Sequence, residues 1–401
     1  MTVQSPRCLE QPRLDVVDKT RSNIFNWRGQ FTPQFVEYLL DTYAEPTDVS
    51  FDPFCGSGTV LLESAKRNIR SVAYEINPAA YAMAKFVSLS TLTHSDRLQT
   101  LESVKARIDG LIGDYHDLPI FNMQSEFRDR YRNLLDFAGD LFAKTASKRE
   151  MLLSLIILFH AEKNGKGDLV PAIRRACQVT QANLMALPQA TVLLSADLYD
   201  ARLSHRQLRT NIDIIITSPP YINVFNYHQN YRAILEVLGF DLLRVAESEI
   251  GSNRKNRGNR FRTVVQYALD MEQALHSFAQ SLRQRGLLIL VVGRESRVRG
   301  IPFSNSLMLR EIACSSLAYH LESQNERFFV NRFGQQIKED ILVLRQIALP
   351  TCGSHAREIA EKHLESALAA ASGDVKDDIV DVLSDIEKIE PSPFFDRKDI
   401  I

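Results

Sequence analysis

The chain has 401 residues, of which 45% are hydrophobic and 24% charged, an ordinary globular balance with material for two or three domains. That excludes a wholly disordered, collagen-like or coiled-coil chain. Lys and Arg number 48 against 49 Asp and Glu, and a net charge of −1 argues at first sight against a nucleic-acid partner. The total averages unlike parts: from Ala356 onward there are 12 acids and 6 bases, which leaves the preceding residues at +5.

The first 25 residues have little periodicity and read as an arm or loop. Thr32-Pro33 followed by Gln34 to Leu40 reads as an N-cap, a proline in the first turn and an amphipathic helix. Val49 to Phe54 is a short apolar strand, Cys55-Gly56-Ser57-Gly58-Thr59 a tight turn, and Val60 to Lys66 a helix. Ser71 to Glu75 is a second strand ending in an acid, and Asn77-Pro78 opens another helix. This is the strand–turn–helix–strand pattern of a parallel sheet. Residues 92–188 read as helical by period, with Phe121, Phe127, Tyr131, Phe137 and Phe142 at aromatic positions and no strand alternation. Strands resume at Ala190 to Ala196, Ile212 to Thr217, Leu287 to Val292 and Asp340 to Leu344. The most basic stretch, Ser252 to Arg262, lies in a long connection after the fourth strand.

These segments divide the chain into an arm (1–25), a first core part (26–91), a helical insertion that is a candidate target-reading unit (92–188), a second core part (189–349) and an acidic helical tail (350–401). Cys8, Cys55, Cys177, Cys314 and Cys352 are dispersed, with no CxxC pair. That speaks against a disulfide scaffold and a structural metal, and for the reducing cytoplasm. Met1 to Leu14 lacks the apolar run of a signal peptide, and the longest apolar runs, Met151 to Ala161 and Gly286 to Gly293, are too short to span a bilayer.

Four motifs carry chemistry. In Phe51-Asp52-Pro53-Phe54-Cys55-Gly56-Ser57-Gly58-Thr59, two glycines let the backbone turn sharply near a ligand, and a helix N-terminus follows. Leu61 stands where a dinucleotide turn has its third glycine, and Asp52 would repel a pyrophosphate. An acid there suits an ammonium or sulfonium group, although a plain βα turn would serve the fold as well. Glu75, at the next strand end, can accept from ribose hydroxyls or be a surface acid. Asp197, in Ser195-Ala196-Asp197, can accept from an adenine amine or cap a helix. Thr217-Ser218-Pro219-Pro220-Tyr221 is the most specific: two prolines remove two donors and present rigid carbonyls, beside a ring suited to stacking on a heterocycle.

This set resembles the amino-group DNA methyltransferases that use S-adenosylmethionine. Asp52 to Thr59 is similar to their motif I and Ser218-Pro219-Pro220-Tyr221 to their motif IV. Trp27 to Pro33 resembles motif X, and Gly286 to Val292 a later glycine-then-strand motif. The resemblance implies an α/β fold with a doubly wound, mostly parallel, Rossmann-like sheet and helical insertions. It implies S-adenosylmethionine held by Phe31, Thr32, Pro33, Asp52, Pro53, Phe54, Gly56, Gly58, Thr59, Glu75, Ile76, Asp197 and Leu198. Ser218, Pro219, Pro220 and Tyr221 would be catalytic, with Ser218 and the Pro219 carbonyl holding the target amine and Tyr221 stacking on a flipped DNA base. No Pro-Cys dipeptide occurs, which disfavours covalent attack at cytosine carbon 5, and Ser218 tilts the expected target to cytosine N4 over adenine N6. An RNA methyltransferase or a non-catalytic cofactor-binding subunit are the other readings, and a cognate restriction endonuclease is the companion such enzymes can have. Arg254, Lys255, Arg257, Arg260 and Arg262 are candidates for DNA phosphate, set against a merely solvated loop. Arg294, Arg297 and Arg299 form a second cluster, Asn226, Tyr227, His228 and Tyr231 could line a base pocket, and His160 reads as a core histidine.

Overall fold

The computed structural model describes residues 9–115, 132–163, 168–208, 210–223, 229–252, 254, 256–315, 318–330, 334–349 and 354–395. Nine strands occur among them: β1 (Val49–Asp52), β2 (Arg70–Glu75), β3 (Leu194–Leu198), β4 (Ile212–Thr217), β5 (Leu282–Gly293), β6 (Glu295–Val298), β7 (Ile301–Ser304), β8 (Tyr319–Val330) and β9 (Gln336–Gln346). Seven form one sheet in the order β3-β2-β1-β4-β5-β9-β8, while β6 and β7 make a separate hairpin. The first five run parallel, and β9 and β8 are antiparallel additions. This is the expected doubly wound, mostly parallel α/β fold. β8 and the β6–β7 hairpin were not anticipated, and β3 begins at Leu194 where the sequence pattern starts it at Ala190.

Alternation along the central strands buries both faces. Ile214, Ile216, Ile289, Val291, Ile341 and Val343 pack with Phe35, Val36 and Leu39 of the helix Pro33–Tyr43. Ile215, Leu288, Leu290, Val292, Leu342 and Leu344 face the other way, into a core shared with the helix Arg262–Ser281. The stretch read as an arm includes a helix, Gln11–Asp15, whose Leu14 is buried and whose Asp15 accepts from the Phe328 amide of β8 at 2.8 Å.

Between β2 and β3 the described residues are helical: after Pro78–Val87 come His94–Ile112, Arg132–Ala143, Lys148–Lys163 and Leu169–Met185. Phe137 is buried there, whereas Phe121, Phe127 and Tyr131 lie outside the described residues. The two ends of this segment are tied by one buried side chain. Arg97 donates to the carbonyls of Leu89 and Leu92 (both 3.0 Å) and Ser90 (2.9 Å) on one side, and of Leu187 (2.8 Å) and Pro188 (2.6 Å) on the other.

After β9 the helices Ala356–Leu368 and Asp374–Ser384 join the core of the helix Arg262–Ser281. Asp374 and Asp378 pair with Arg299, and Asp385 pairs with Arg262. The chain then reaches a second buried arginine. Arg202 meets Asp200 (2.7 Å) and Asp270 (2.9 Å) and donates to the carbonyls of Ser392 and Pro393 (both 2.8 Å). The Phe395 amide closes the knot on Asp200 at 2.9 Å, and its ring is buried in the cluster of the helical segment. No described helix is long and apolar enough to cross a membrane.

Candidate functional site

In a doubly wound sheet the crevice opens beyond the carboxyl ends of the strands where strand order reverses. Here that point lies between β1 and β4. A cleft occupies it, and the loops after β1, β2 and β4 supply most of its walls.

The β1 loop is shaped by its glycines. Gly56 has φ +51°, and a Cβ there would stand 3.3 Å from the Trp27 ring. Gly58 has φ +86°, and a Cβ would come within 2.9 Å of the Ala84 Cα, so only glycine lets the turn rest on the helix Pro78–Val87. Ser57 donates to Gln30 at 2.7 Å, which joins the turn to the 27–31 segment forming another wall. Cys55 also faces the cleft.

Two carboxylates define its electrostatics. Asp52 is buried, accepts from the Thr217 hydroxyl of β4 at 2.6 Å and from the Phe54 amide at 3.2 Å. Burial pushes its pKa up to about 7 against the pull of those hydrogen bonds. Glu75 accepts the Asn77 and Gly56 amides, both at 2.9 Å, and burial pushes it too up to about 7. Asn77 in turn caps its helix by accepting from the Ala79 and Ala80 amides.

The β4 loop forms the opposite wall. Ser218, Pro219, Pro220 and Tyr221 all line the cleft. The Tyr221 hydroxyl lies 3.3 Å from Ser218 Oγ and donates to Glu339 at 3.3 Å. Its ring sits against Gly293 at the end of β5, where a Cβ would be 2.6 Å from the ring. Buried Asn305 accepts from the Ile222 amide at 3.2 Å and donates to the Gly293 carbonyl at 3.0 Å, pinning the loop to the strand.

Of the residues picked out for a cofactor, Phe31, Asp52, Pro53, Phe54, Gly56, Thr59, Glu75 and Ile76 line the cleft. Thr32, Pro33, Gly58, Asp197 and Leu198 lie outside its lining. Beyond β3 the lining residues are Asp200 and Ala201. Ser248, Glu249 and Ile250 also line it, and nothing in their local sequence marks them. For Asp200 the signal was its position two residues past the end of β3, which runs to Leu198 where the sequence pattern ends it at Ala196.

In the basic stretch, Arg257 and Arg260 are exposed, Arg254 is half-buried, and Lys255 lies outside the described residues. Arg262 begins a helix and pairs with Asp385 at 3.1 Å, and Asn259 donates to Asp381 at 3.1 Å. In the second cluster Arg294 pairs with Asp340 and Glu326, and Arg297 with Glu295. Asn226, Tyr227 and His228 lie outside the described residues, while Tyr231 stacks on Phe159 with centroids 4.2 Å apart. His160 is half-buried and stacks on Phe25, and burial lowers its pKa to about 4. Among the described residues no cluster of three or more His, Cys, Asp or Glu could hold a metal ion.

Residues 9–86 match the model of a family described as DNA methylase, of the N6/N4 kind. Over 55 residues the chain is 40% identical to Type II methyltransferase M.MjaII of Methanocaldococcus jannaschii. That stretch is 14% of this chain and 10% of the relative's length. Among solved structures, TrmN from Thermus thermophilus aligns at 13% identity and TM-score 0.31, covering 80% of this chain and 50% of that one. The rRNA methyltransferase aviRa from Streptomyces viridochromogenes aligns at 11% identity and TM-score 0.32, covering 82% and 88%.

Proposed function

We propose, for a chain whose residues 9–86 match the DNA methylase family, that it transfers a methyl group from S-adenosylmethionine to an exocyclic amino group in DNA, with cytosine N4 as the target. The observation that carries this reading is the adjacency of two loops. Asp52 and Thr217 are 165 positions apart in sequence, yet their side chains are hydrogen-bonded, which sets the glycine turn beside Ser218-Pro219-Pro220-Tyr221 across one cleft.

The residues fit the cofactor by chemistry. Buried Asp52 and half-buried Glu75 are acids held near neutrality, and each gains from a cationic neighbour. Gly56 puts bare backbone against the cleft. Bound there, S-adenosylmethionine supplies a methyl already activated on a sulfonium. Phe31, Pro53, Phe54, Thr59 and Ile76, which line the cleft, would hold it from the sides.

On the other wall Ser218 and the Pro219 carbonyl would accept the hydrogens of the target amine, and Tyr221 would stack on the extruded base. Alignment and electrostatics then do the work, since no proton abstraction by a strong base is needed before transfer. Ser218 at the head of this loop favours cytosine N4, and adenine N6 is the competing target. Arg254, Arg257 and Arg260, with Lys255, would grip phosphate, while Arg262 already has a carboxylate partner. A cognate restriction endonuclease would be the companion of such an enzyme.

The test is incubation with methyl-labelled S-adenosylmethionine and DNA or RNA, digestion to nucleosides, and identification by mass. N4-methylcytosine in DNA is the expected product. N6-methyladenine in DNA overturns the choice of base, and label in RNA alone overturns the choice of polymer. Tyr221→Ala should abolish transfer, by at least about 100-fold, while leaving cofactor affinity within about threefold. Full activity in that variant would remove Tyr221 from the mechanism.

A further inference from the structure

The sheet holds a charged pair behind the β4 loop. Glu339 of β9 is registered between Gly293 of β5 and Arg327 of β8. Arg327 is only 4% exposed, and its guanidinium lies 3.9 Å over the Phe35 ring, on the helix that follows Phe31. Its Nε is 3.1 Å from Glu339 Oε2. The other carboxylate oxygen, Oε1, accepts from the Tyr221 hydroxyl at 3.3 Å.

A buried ion pair is a poor stabiliser, because desolvation offsets most of its attraction. Its location therefore calls for a use. Facing Arg327, Glu339 accepts from the Tyr221 hydroxyl, so the Tyr221 proton points at it. The Tyr221 oxygen is then left to accept, and Ser218 Oγ lies 3.3 Å from it. Between these two hydroxyls Ser218 is then the donor, which leaves its lone pairs for the cleft that Ser218 lines.

We propose that Arg327 and Glu339 are positioning residues that set the direction of a hydrogen-bond relay, Ser218 to Tyr221 to Glu339, so that Ser218 presents acceptor lone pairs to the target amine. Its functional half rests on the amine-methylation reading above. No proton is transferred: the pair fixes which way two hydroxyls point and seats the Tyr221 ring on Gly293.

The experiment is a double-mutant cycle on the full chain with E339Q and Y221F, both near-isosteric. Glutamine can donate to the phenol and so reverse the relay, while phenylalanine removes it. Each single variant should lower kcat for methyl transfer to DNA about 3- to 10-fold, with cofactor Kd and KM unchanged, and the double variant should be no slower than the slower single. Losses that multiply overturn the relay. A second readout needs no turnover: the 13C resonance of the Tyr221 phenolic carbon, assigned by its absence in Y221F, should shift in E339Q. Should E339Q not fold, R327K keeps the cation but loses the guanidinium fork, and is expected to move the same resonance and lower kcat. An unmoved resonance in the folded variant overturns the proposal. If the wild-type chain methylates no DNA, the amine reading falls, and the resonance still decides the relay.

Discussion

Asp52 and Glu75 are held as acids that titrate near neutrality, each with a pKa of about 7, whereas an unfolded chain ionises such groups near 4. Between those values the folded protein keeps protons that the unfolded chain has lost, so stability from these groups is present at low pH and falls as pH rises through about 7. A cationic ligand favours the charged carboxylates and draws the protons off. S-adenosylmethionine should therefore bind more tightly at pH 8 than at pH 6, releasing protons near pH 7. Titration calorimetry in two buffers of different ionisation enthalpy reads this directly, with Asp52→Asn removing its share. A pH-independent affinity would show that neither acid meets the cation. At this scale the sequence was most informative where chemistry is local: the glycine turn, Glu75 and Ser218 to Tyr221 are each specified by their immediate neighbours. Glu249 and Ile250 reach the cleft only through tertiary packing, and no local pattern reports that.

Among elements, the parallel strands were legible because β1, β2 and β4 are short, apolar and bounded by turn residues. β8 was not, since its twelve residues mix charge with apolar positions and its register shifts between Leu321 and Ser323. An edge strand needs no continuous apolar face, so it leaves a weak trace. That gap matters, because Arg327 stands on it. The helical segment between β2 and β3 was recognisable by period, but its closure by Arg97 was not. Arg97→Met should leave several buried carbonyls without donors and cost on the order of 3 kcal/mol, seen as a lowered urea midpoint with unchanged slope. A wild-type midpoint would mean that helix packing alone closes the segment.

For the whole molecule, the opening charge balance resolves into internal pairing as well as partner binding. The acidic tail meets Arg262 and Arg299 of the basic body, so part of the positive excess is spent within the fold. Within the basic stretch, Arg257 and Arg260 stay exposed. The end of the tail does more than neutralise. Phe395 is buried in the cluster of the helical segment, while Ser392 and Pro393 cap Arg202 in the layer beneath the cleft. Phe395→Ala should destabilise by about 3–5 kcal/mol in the same urea assay, and an unchanged midpoint would mean that the ring is dispensable.

That closing knot sets an order of assembly. A ribosome delivers the glycine turn, the acids and the Ser218 loop long before residue 392, yet until then Arg202 lacks the two carbonyls it holds and Asp200, a wall of the cleft, lacks the Phe395 amide. A nascent or clipped chain thus carries every motif residue on an unfinished scaffold. Completion of the tail supplies the last hydrogen bonds of the two residues that stand at and behind that wall.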